Sequence, residues 1–322
     1  MRVLAAFILL CAATSGMQAQ EQNYPSKTIR IVVSSAPGGV TDTLARTLGQ
    51  RLSTAWGQHV VVENKPGANN QIGTEHVAKS PADGYTLLLT PEVTFVVNPH
   101  LYARLSYDAD KDFAPITGLA SVNHALVVHP SLQVQSVAEL IALAKSKPGE
   151  LNYATLGIGS AAHLNMEMFQ SMTGTKLTPV HYRGATPALT DVVAGHVPMM
   201  FVNIGSAASA WKAGQVNVLA IASSRRLARF PEVPTVAESG VPGFEAQSWF
   251  GLFAPRATPR EIVGKINAEV QRIFNEPEYR ERVLVPNTLE SLVSSSESYE
   301  ALIKKDTEKW GRVIGAAKLK IE

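Results

Sequence analysis

The sequence contains a single cysteine, Cys11, so neither disulfides nor a cysteine-based metal site can stabilise the chain. Charged residues make up only 17% of the 322 residues, and the formal net charge is +2. Lysine and arginine form no cluster, which argues against nucleic acid or an anionic membrane as a partner. The chain has the length of one large or two ordinary domains, and their own hydrophobic cores must hold them together.

Several catalytic and cofactor-binding motifs are also missing. Gly157-Ile158-Gly159 lacks the third glycine of a dinucleotide-binding fingerprint, and the sequence contains no G-x-x-x-x-G-K-[ST] phosphate loop. Ser160 does not have glycines at the G-x-S-x-G spacing of a hydrolase nucleophile turn. We therefore predict a protein that is not an enzyme and that uses no cofactor and no metal.

Residues 1–19 have the order of a secretory signal peptide. Arg2 precedes the apolar run 3–13, and small or polar residues follow up to Ala19, after which we expect cleavage. The run is too short to anchor the chain in a bilayer. A lipoprotein signal is the alternative, but it requires a small residue before the cysteine, and Leu10 precedes Cys11. We therefore expect export, with the cysteine removed.

The stretch 28–46 combines a strand, a glycine turn and a helix start. Ile29 to Val33 is a β-branched run typical of a buried strand, and Pro37-Gly38-Gly39 interrupts it. Thr41 or Asp42 is expected to cap the helix that follows. Unpaired N–H groups at such a helix start favour an anion, either a phosphate or a carboxylate.

The alternation of strand and helix occurs twice along the chain and predicts two α/β domains, each a largely parallel sheet flanked by helices. The short apolar strands Ala125–His129 and Trp249–Ala254 are the expected crossings between them. Domain I is then 20–123 plus 250–322, and domain II is 124–249. Two crossings form a hinge, and a hinged cleft suits ligand capture by closure.

Helix starts and buried faces are predicted from short motifs. Ser136, Thr186 and Thr258 are expected N-caps, the first and the last of them within capping boxes. In the helix predicted for 161–172, Met172 is expected to lie on the buried face.

Four loops would converge on the cleft: 34–42, 67–70, 155–160 and 182–186. They supply hydroxyls, amides and backbone N–H groups, and a hydrogen bond to a charged group contributes about 1.5–3 kcal/mol. Micromolar affinity needs about −8 kcal/mol, so four or five such bonds could hold a carboxylate without a salt bridge. The candidate ligand-binding residues are Ser35, Gly39, Val40, Thr41, Asn69, Thr94, Thr155, Gly159, Ser160, His163, Arg183, Gly184, Thr186 and Asn203.

A different interpretation uses part of this set for catalysis. Ser160, His163 and Glu167 could serve a secreted α/β hydrolase, and His163 with Glu167, one helical turn apart, could share a metal ion. A simple i,i+4 side-chain pair explains the same spacing, as it does for Asp42 and Arg46.

Seven motifs follow one another along the chain: P-G-G-V-T-D-T-L-A-R (37–46), N-K-P-G-A-N-N-Q-I-G (64–73), D-G-Y-T-L-L (83–88), N-Y-A-T-L-G-I-G-S-A-A-H-L (152–164), H-Y-R-G-A-T-P-A-L (181–189), R-F-P-E-V-P-T-V-A-E-S-G (229–240) and W-F-G-L-F-A-P (249–255). With these motifs the mature chain resembles the Bug-type extracytoplasmic solute receptors that serve bacterial tripartite tricarboxylate transporters. It departs from the pattern at Arg183, where lysine is usual, and at Ser34-Ser35-Ala36, which replaces a lead-in containing proline and an aromatic residue.

The resemblance implies a two-lobed periplasmic binding protein fold of type II, joined by a two-strand hinge. It also implies a periplasmic receptor that binds a small organic (di)carboxylate and delivers it to the membrane subunits of the transporter. One carboxylate would be held by backbone amides of the 37–42 and 155–160 turns, with 183–186 on the far side. We expect a monomer, and a receptor that presents its ligand to a sensor kinase is the remaining alternative.

Overall fold

The computed structural model describes residues 24–321, so the predicted signal peptide, its cleavage after Ala19 and Cys11 lie outside the described part of the chain. The strands are β1 (Ile29–Val33), β2 (Val60–Asn64), β3 (Thr86–Pro91), β4 (Phe113–Val122), β5 (His124–Val128), β6 (Asn152–Thr155), β7 (Thr178–His181), β8 (Met199–Asn203), β9 (Asn217–Ile221), β10 (Ser248–Pro255) and β11 (Leu289–Ser291). The α-helices are α1 (Val40–Trp56), α2 (Gln71–Ala78), α3 (Val93–Val96), α4 (Asn98–Leu101), α5 (Val137–Ser146), α6 (Ala161–Thr173), α7 (Ala185–Val193), α8 (Ile204–Lys212), α9 (Arg260–Asn275), α10 (Pro277–Tyr279) and α11 (Ser296–Ala317). Among the helices of residues 24–321, none is long and apolar enough to cross a membrane.

The strands form two sheets, which confirms the two-lobed α/β architecture. In lobe I the order is β11-β4-β10-β3-β1-β2, and in lobe II it is β7-β6-β8-β5-β9. Strand β1 is parallel to β2 and β3, and β6 is parallel to β7 and β8. Helices cover the central strands, so β1 buries Ile29, Ile31, Val32 and Val33 completely, as a parallel strand covered on both faces requires.

The chain passes between the lobes at two neighbouring points. Asn123 alone separates β4 of lobe I from β5 of lobe II, and Gln247 directly precedes β10 on the return. The Gln247 side-chain Nε2 donates to Asn123 Oδ1 at 2.5 Å, so the two crossings are joined to each other. Ser248 and Trp249 already pair with β4 in the lobe I sheet.

The last helix, α11, belongs in sequence to lobe I but contacts both lobes. It packs against α3 of lobe I and α6 of lobe II, and Trp310 and Ile314 lie in a hydrophobic core that includes residues of both lobes. Lys305 Nζ pairs with the Glu245 carboxylate at 3.1 Å, and Lys309 Nζ donates to the Glu245 carbonyl. The lobes therefore share packed surface besides the two crossings.

Ser136 caps α5 as predicted, accepting a hydrogen bond from Glu139 N. The predicted starts of three other helices were wrong. Helix α1 begins after Gly39, and α7 begins after Gly184, because both glycines are extended and the helix follows them directly. Thr41, Asp42 and Thr186 consequently lie inside the first turns and do not cap.

Thr258 does not cap α9, which begins after Pro259 without a side-chain cap. Its hydroxyl is buried and has no partner among the described residues. Met172 was expected to be buried, but 42% of its surface is exposed, because the buried face of α6 ends one turn earlier at Phe169.

Candidate ligand-binding cleft

The carboxyl ends of the parallel strands in lobe I form one wall of the cleft. A chain of hydroxyl contacts connects them: the Ser34 and Thr90 oxygens are 2.7 Å apart, and the Thr90 and Thr94 oxygens are 2.6 Å apart. Ser34 also donates to Asn70 Oδ1 at 3.2 Å. The turns after β1, β2 and β3 are thus tied together, as adjacent parallel strands predict. The predicted site residue Thr94 is completely buried in this network.

Asp42 stabilises the glycine turn of lobe I from within the protein. Its carboxylate accepts hydrogen bonds from Gly38 N, Arg46 Nε and Asn64 Nδ2, each at 3.0 Å. The Arg46 guanidinium is the main reason why the pKa of Asp42 lies below its usual range. The predicted Asp42–Arg46 ion pair is confirmed, and the carboxylate is fully engaged in holding the turn.

The start of α1 leaves backbone donors free. Gly39, Val40 and Thr41 donate no backbone hydrogen bond within residues 24–321, and no side chain caps this helix end. The Ser35 hydroxyl beside the turn is buried and has no partner among the described residues. Four predicted site residues therefore offer unused hydrogen-bonding groups at one helix N-terminus, where an anion is stabilised.

Lobe II repeats this arrangement at the start of α6. Ser160 caps the helix, with its Oγ accepting from His163 N and donating to the Gly157 carbonyl at 2.8 Å. The Thr155 hydroxyl lies 3.0 Å from the Ser160 hydroxyl, which links the end of β6 to the helix start. Ala161 and Ala162, the first two helical residues, have no acceptor for their N–H groups among the described residues.

His163 supports the second glycine turn rather than leaving it free. Its Nδ1 accepts from Gly159 N at 3.2 Å, so this amide is already used. Its Nε2 lies 3.8 Å from Glu167 Oε1, and Glu167 in turn accepts from the Tyr153 hydroxyl. Burial, with the nearby His181, lowers the pKa of His163 to about 4 and keeps the ring neutral.

The contacts of Ser160 and His163 can be compared with what a hydrolase or a metal site would require. The hydrogen bonds of Ser160 Oγ go to the turn and to a backbone N–H, and none goes to the His163 ring among the described residues. A nucleophile must be within hydrogen-bond reach of its base. Within residues 24–321, no group of three or more metal-ligating side chains is close enough to hold an ion.

The two walls meet at Gly159. A Cβ at this position would lie 2.4 Å from Leu101 Cδ2 of lobe I, and the backbone has a φ of +77°, which glycine adopts readily. The predicted site residue Asn69 is held close to Leu101, since its Nδ2 donates to Asn98 Oδ1 at 2.8 Å and Asn98 and Leu101 belong to the same short helix, α4. The second glycine turn therefore lies against lobe I at the edge of the cleft.

The remaining predicted residues lie at the carboxyl ends of β7 and β8. Arg183 and Thr186 are exposed beside Gly184, and Arg183 forms no ion pair with the described residues. Asn203 is partly committed, because its Oδ1 accepts from Gly205 N at the start of α8. The structure thus places these four residues along the lobe II edge, with only Asn203 held by a side-chain bond.

Three polar residues of the site lie in stretches that the sequence placed at or beside the cleft, but none of them was selected as a ligand-binding residue. Ser34, Asn70 and Thr90 carry the hydroxyl network of lobe I but were not among the candidates. His181, whose ring centre lies 5.7 Å from that of His163, was missed as well. Each of the four follows or ends a predicted strand, and that position was the signal that could have identified them.

The chain is similar to known proteins of one family. The family model for the tripartite tricarboxylate transporter family receptor (TctC) matches residues 44–319. A UPF0065 protein from the tcbD-tcbE intergenic region of Pseudomonas sp. strain P51 is 37% identical, over 97% of this chain and 93% of its own. Protein BugT of Bordetella pertussis is 35% identical, over 98% of both chains.

Solved structures show the same similarity. Rpa4515 of R. palustris with adipate is 35% identical with a TM-score of 0.80, over 92% of this chain and 100% of its own. The periplasmic binding protein BugD is 31% identical with a TM-score of 0.75, covering 92% and 100%. MatC of Rhodopseudomonas palustris with bound malate is 32% identical with a TM-score of 0.74, covering 90% and 100%.

Proposed function

Because the chain belongs to the tripartite tricarboxylate transporter receptor family, we propose that it is a periplasmic receptor that captures a small organic dicarboxylate between its lobes. Two relatives of known structure are described with adipate and with malate, and both of these are dicarboxylates. The receptor performs no chemistry on its ligand, acts as a monomer and passes the ligand to the membrane subunits of a transporter. The lobes rotate about the crossings at 123 and 247 to close on the ligand.

The observation that carries the proposal is the pair of helix starts with unused N–H groups, one in each lobe. Val40 and Ala161 are the first residues of α1 and α6, and neither N–H has an acceptor among the described residues. A carboxylate between these helix ends gains hydrogen bonds from both, and each contributes about 1.5–3 kcal/mol. Arg183 is then available to the ligand's other end.

Proline substitution tests this directly, because proline is tolerated at the first helical position and removes only an N–H that is unpaired in the free protein. Gly39 and Ser160, which precede the two sites, already have the extended conformation that proline requires. We expect Val40→Pro and Ala161→Pro to weaken dicarboxylate binding by about 10- to 100-fold. The matched controls Val40→Ala and Ala161→Gly keep the N–H and should bind within a few-fold of the wild type.

The ligand class is tested first, by thermal shift of ligand-stripped protein with mono-, di- and tricarboxylates. A micromolar ligand at 100-fold excess over its Kd should add about 2.7 kcal/mol of stability. If no carboxylate stabilises the protein, the proposal fails. If the proline variants bind as tightly as their controls, the helix starts do not hold the ligand.

Delivery to a transporter requires a separate measurement. Uptake of the labelled dicarboxylate by cells should depend on this receptor together with the transporter's membrane subunits. Uptake that continues unchanged after deletion of the receptor would contradict this part of the proposal. Recovery of chemically unchanged ligand after long incubation with the protein is the expected result for a receptor, and a converted product would favour the hydrolase alternative.

A further inference from the structure

A cavity lies between the lobes, away from the two glycine turns. Its volume is about 520 Å³, and its walls come from the segment after β9 in lobe II and from residues 280–291 in lobe I. β9 and β11 are the edge strands on this side, whereas β1 and β6 lie next to the opposite edges. A Cβ at Gly205, at the start of α8, would lie 2.4 Å from Thr288 Oγ1 at the rim of this cavity. The cavity is therefore distinct from the region of the two helix starts.

The charged side chains around this cavity are predominantly positive. Arg225, Arg229 and Arg280 line it together with a single carboxylate, Glu290. Arg280 forms no ion pair within residues 24–321, and Arg225 lies 3.9 Å from Glu290 with 80% of its side chain exposed. Arg229 donates to the Val285 carbonyl at 2.8 Å through one of its five N–H groups. Most of the guanidinium donors are thus available to a ligand.

Asn123, at the crossing between the lobes, also lines the cavity. Only 1% of its surface is exposed, and its Oδ1 accepts from Gln247. Its Nδ2 is buried and has no acceptor among the described residues. An unpaired buried amide donor is costly, and an acceptor oxygen in the cavity would remove that cost.

We propose that this cavity binds a compact oxyanion with at least two negative charges, held by Arg225, Arg229 and Arg280 and by the Asn123 amide. Guanidinium groups match the paired oxygens of phosphates and carboxylates, so either class satisfies the site. Arg225 and Arg229 belong to lobe II and Arg280 belongs to lobe I, so the bound anion connects the lobes beside the crossing. It therefore biases the angle between them and couples to binding in the cleft.

The proposal is tested by calorimetric titration of the full exported chain with pyrophosphate and, separately, with propane-1,2,3-tricarboxylate. We expect Arg280→Gln and Arg225→Gln to weaken binding of the better anion by about 10-fold or more, since each removes charge-assisted hydrogen bonds. Glu290→Gln should tighten binding several-fold because it removes a like charge. Arg104→Gln, which removes another exposed arginine charge elsewhere in lobe I, should have no effect.

Two further measurements distinguish binding at this site from binding in the cleft. Val40→Pro and Ala161→Pro should leave oxyanion binding unchanged, and a saturating dicarboxylate should not displace the oxyanion one for one. Equal binding by Arg280→Gln and the wild type, full competition by the dicarboxylate, or no binding of either anion would overturn the proposal. Because the arginine variants are read out with the oxyanion alone, the result stands even if no dicarboxylate binds the cleft.

Discussion

The neutral state of His163 makes the second glycine turn sensitive to acid. Its Nδ1 accepts from Gly159 N at 3.2 Å, so protonation at this nitrogen removes the acceptor from a buried amide. The folded protein holds the pKa of His163 at about 4, against 6.5 in an unfolded chain. Below pH 6.5 the unfolded state binds the proton more readily, so the contribution of His163 to stability is lost as the pH falls from 6.5 towards 4.

These two values predict a loss of about 2 kcal/mol in the free energy of unfolding between pH 7.5 and pH 5 from this residue alone. His163→Asn isolates the effect, because its Oδ1 occupies a position close to Nδ1 and accepts from Gly159 without titrating. His163→Ala removes both the acceptor and the titration, so it should be less stable than His163→Asn by about 1–3 kcal/mol at every pH. His124, whose pKa burial also lowers to about 4, is present in all three proteins and cancels in their differences.

Urea denaturation of the wild type and both variants at several pH values between 5 and 7.5 measures this. We expect the wild type to lose about 2 kcal/mol more than His163→Asn across that range. His59→Asn, which removes an exposed histidine from lobe I, is the control and should follow the wild type. If His163→Asn and the wild type lose stability in parallel, His163 does not hold Gly159 as a neutral acceptor and the reasoning is wrong.

Two further substitutions test packing and polar contacts. Gly159→Ala should lower stability by about 1–3 kcal/mol in thermal unfolding, because its Cβ would lie 2.4 Å from Leu101 Cδ2. The control Gly157→Ala is also at positive φ but has no atom within 4 Å of its Cβ, so it should lower stability less. Equal losses of stability would show that the contact between the lobes at Gly159 is unimportant. Trp249→Phe removes the 2.8 Å hydrogen bond from Nε1 to the buried Asp306 and should cost about 1.5–3 kcal/mol in urea denaturation, and a smaller loss would show that this carboxylate is satisfied without the indole.

The arrangement of loops in the site followed from strand order. Carboxyl ends of parallel strands meet at one edge of a sheet, so the sequence alone could place the polar residues after β1 and β3 near one another in lobe I, and those after β6 and β7 near one another in lobe II. Which amides remain free could not be predicted. The free amides depend on which acceptors bind the N–H groups of Gly38 and Gly159. Gly38 N donates to the Asp42 side chain and Gly159 N donates to the His163 side chain, and each acceptor lies four residues after its donor.

The sequence pattern did not predict β4, the strand that leads to the first crossing. Its sequence, F-A-P-I-T-G-L-A-S-V, contains Pro115 and Gly118, which argue against a central strand. Two register shifts against β10 accommodate the strand there, and Gly118 has no room for a Cβ because Leu292 and Tyr299 pack against it. The strand tolerates Pro115 and Gly118 because of contacts with residues distant in sequence, and the local sequence pattern carries no information about those contacts. The helix caps at Gly39 and Gly184 were missed for a simpler reason, because a neighbouring threonine offered a stronger local signal.

The position of α11 limits how this receptor can be re-engineered. In a two-lobed protein, ligand specificity could be changed by replacing one lobe with that of a relative, if the lobes were independent modules. Here the partner surface for α6 and Glu245 of lobe II is a helix near the end of the chain, which begins 49 residues after Gln247 at the second crossing. A graft of 124–247 alone would separate these surfaces and expose the core around Trp310. A chimera that transfers α11 together with that segment keeps the interface intact and should be the one that folds.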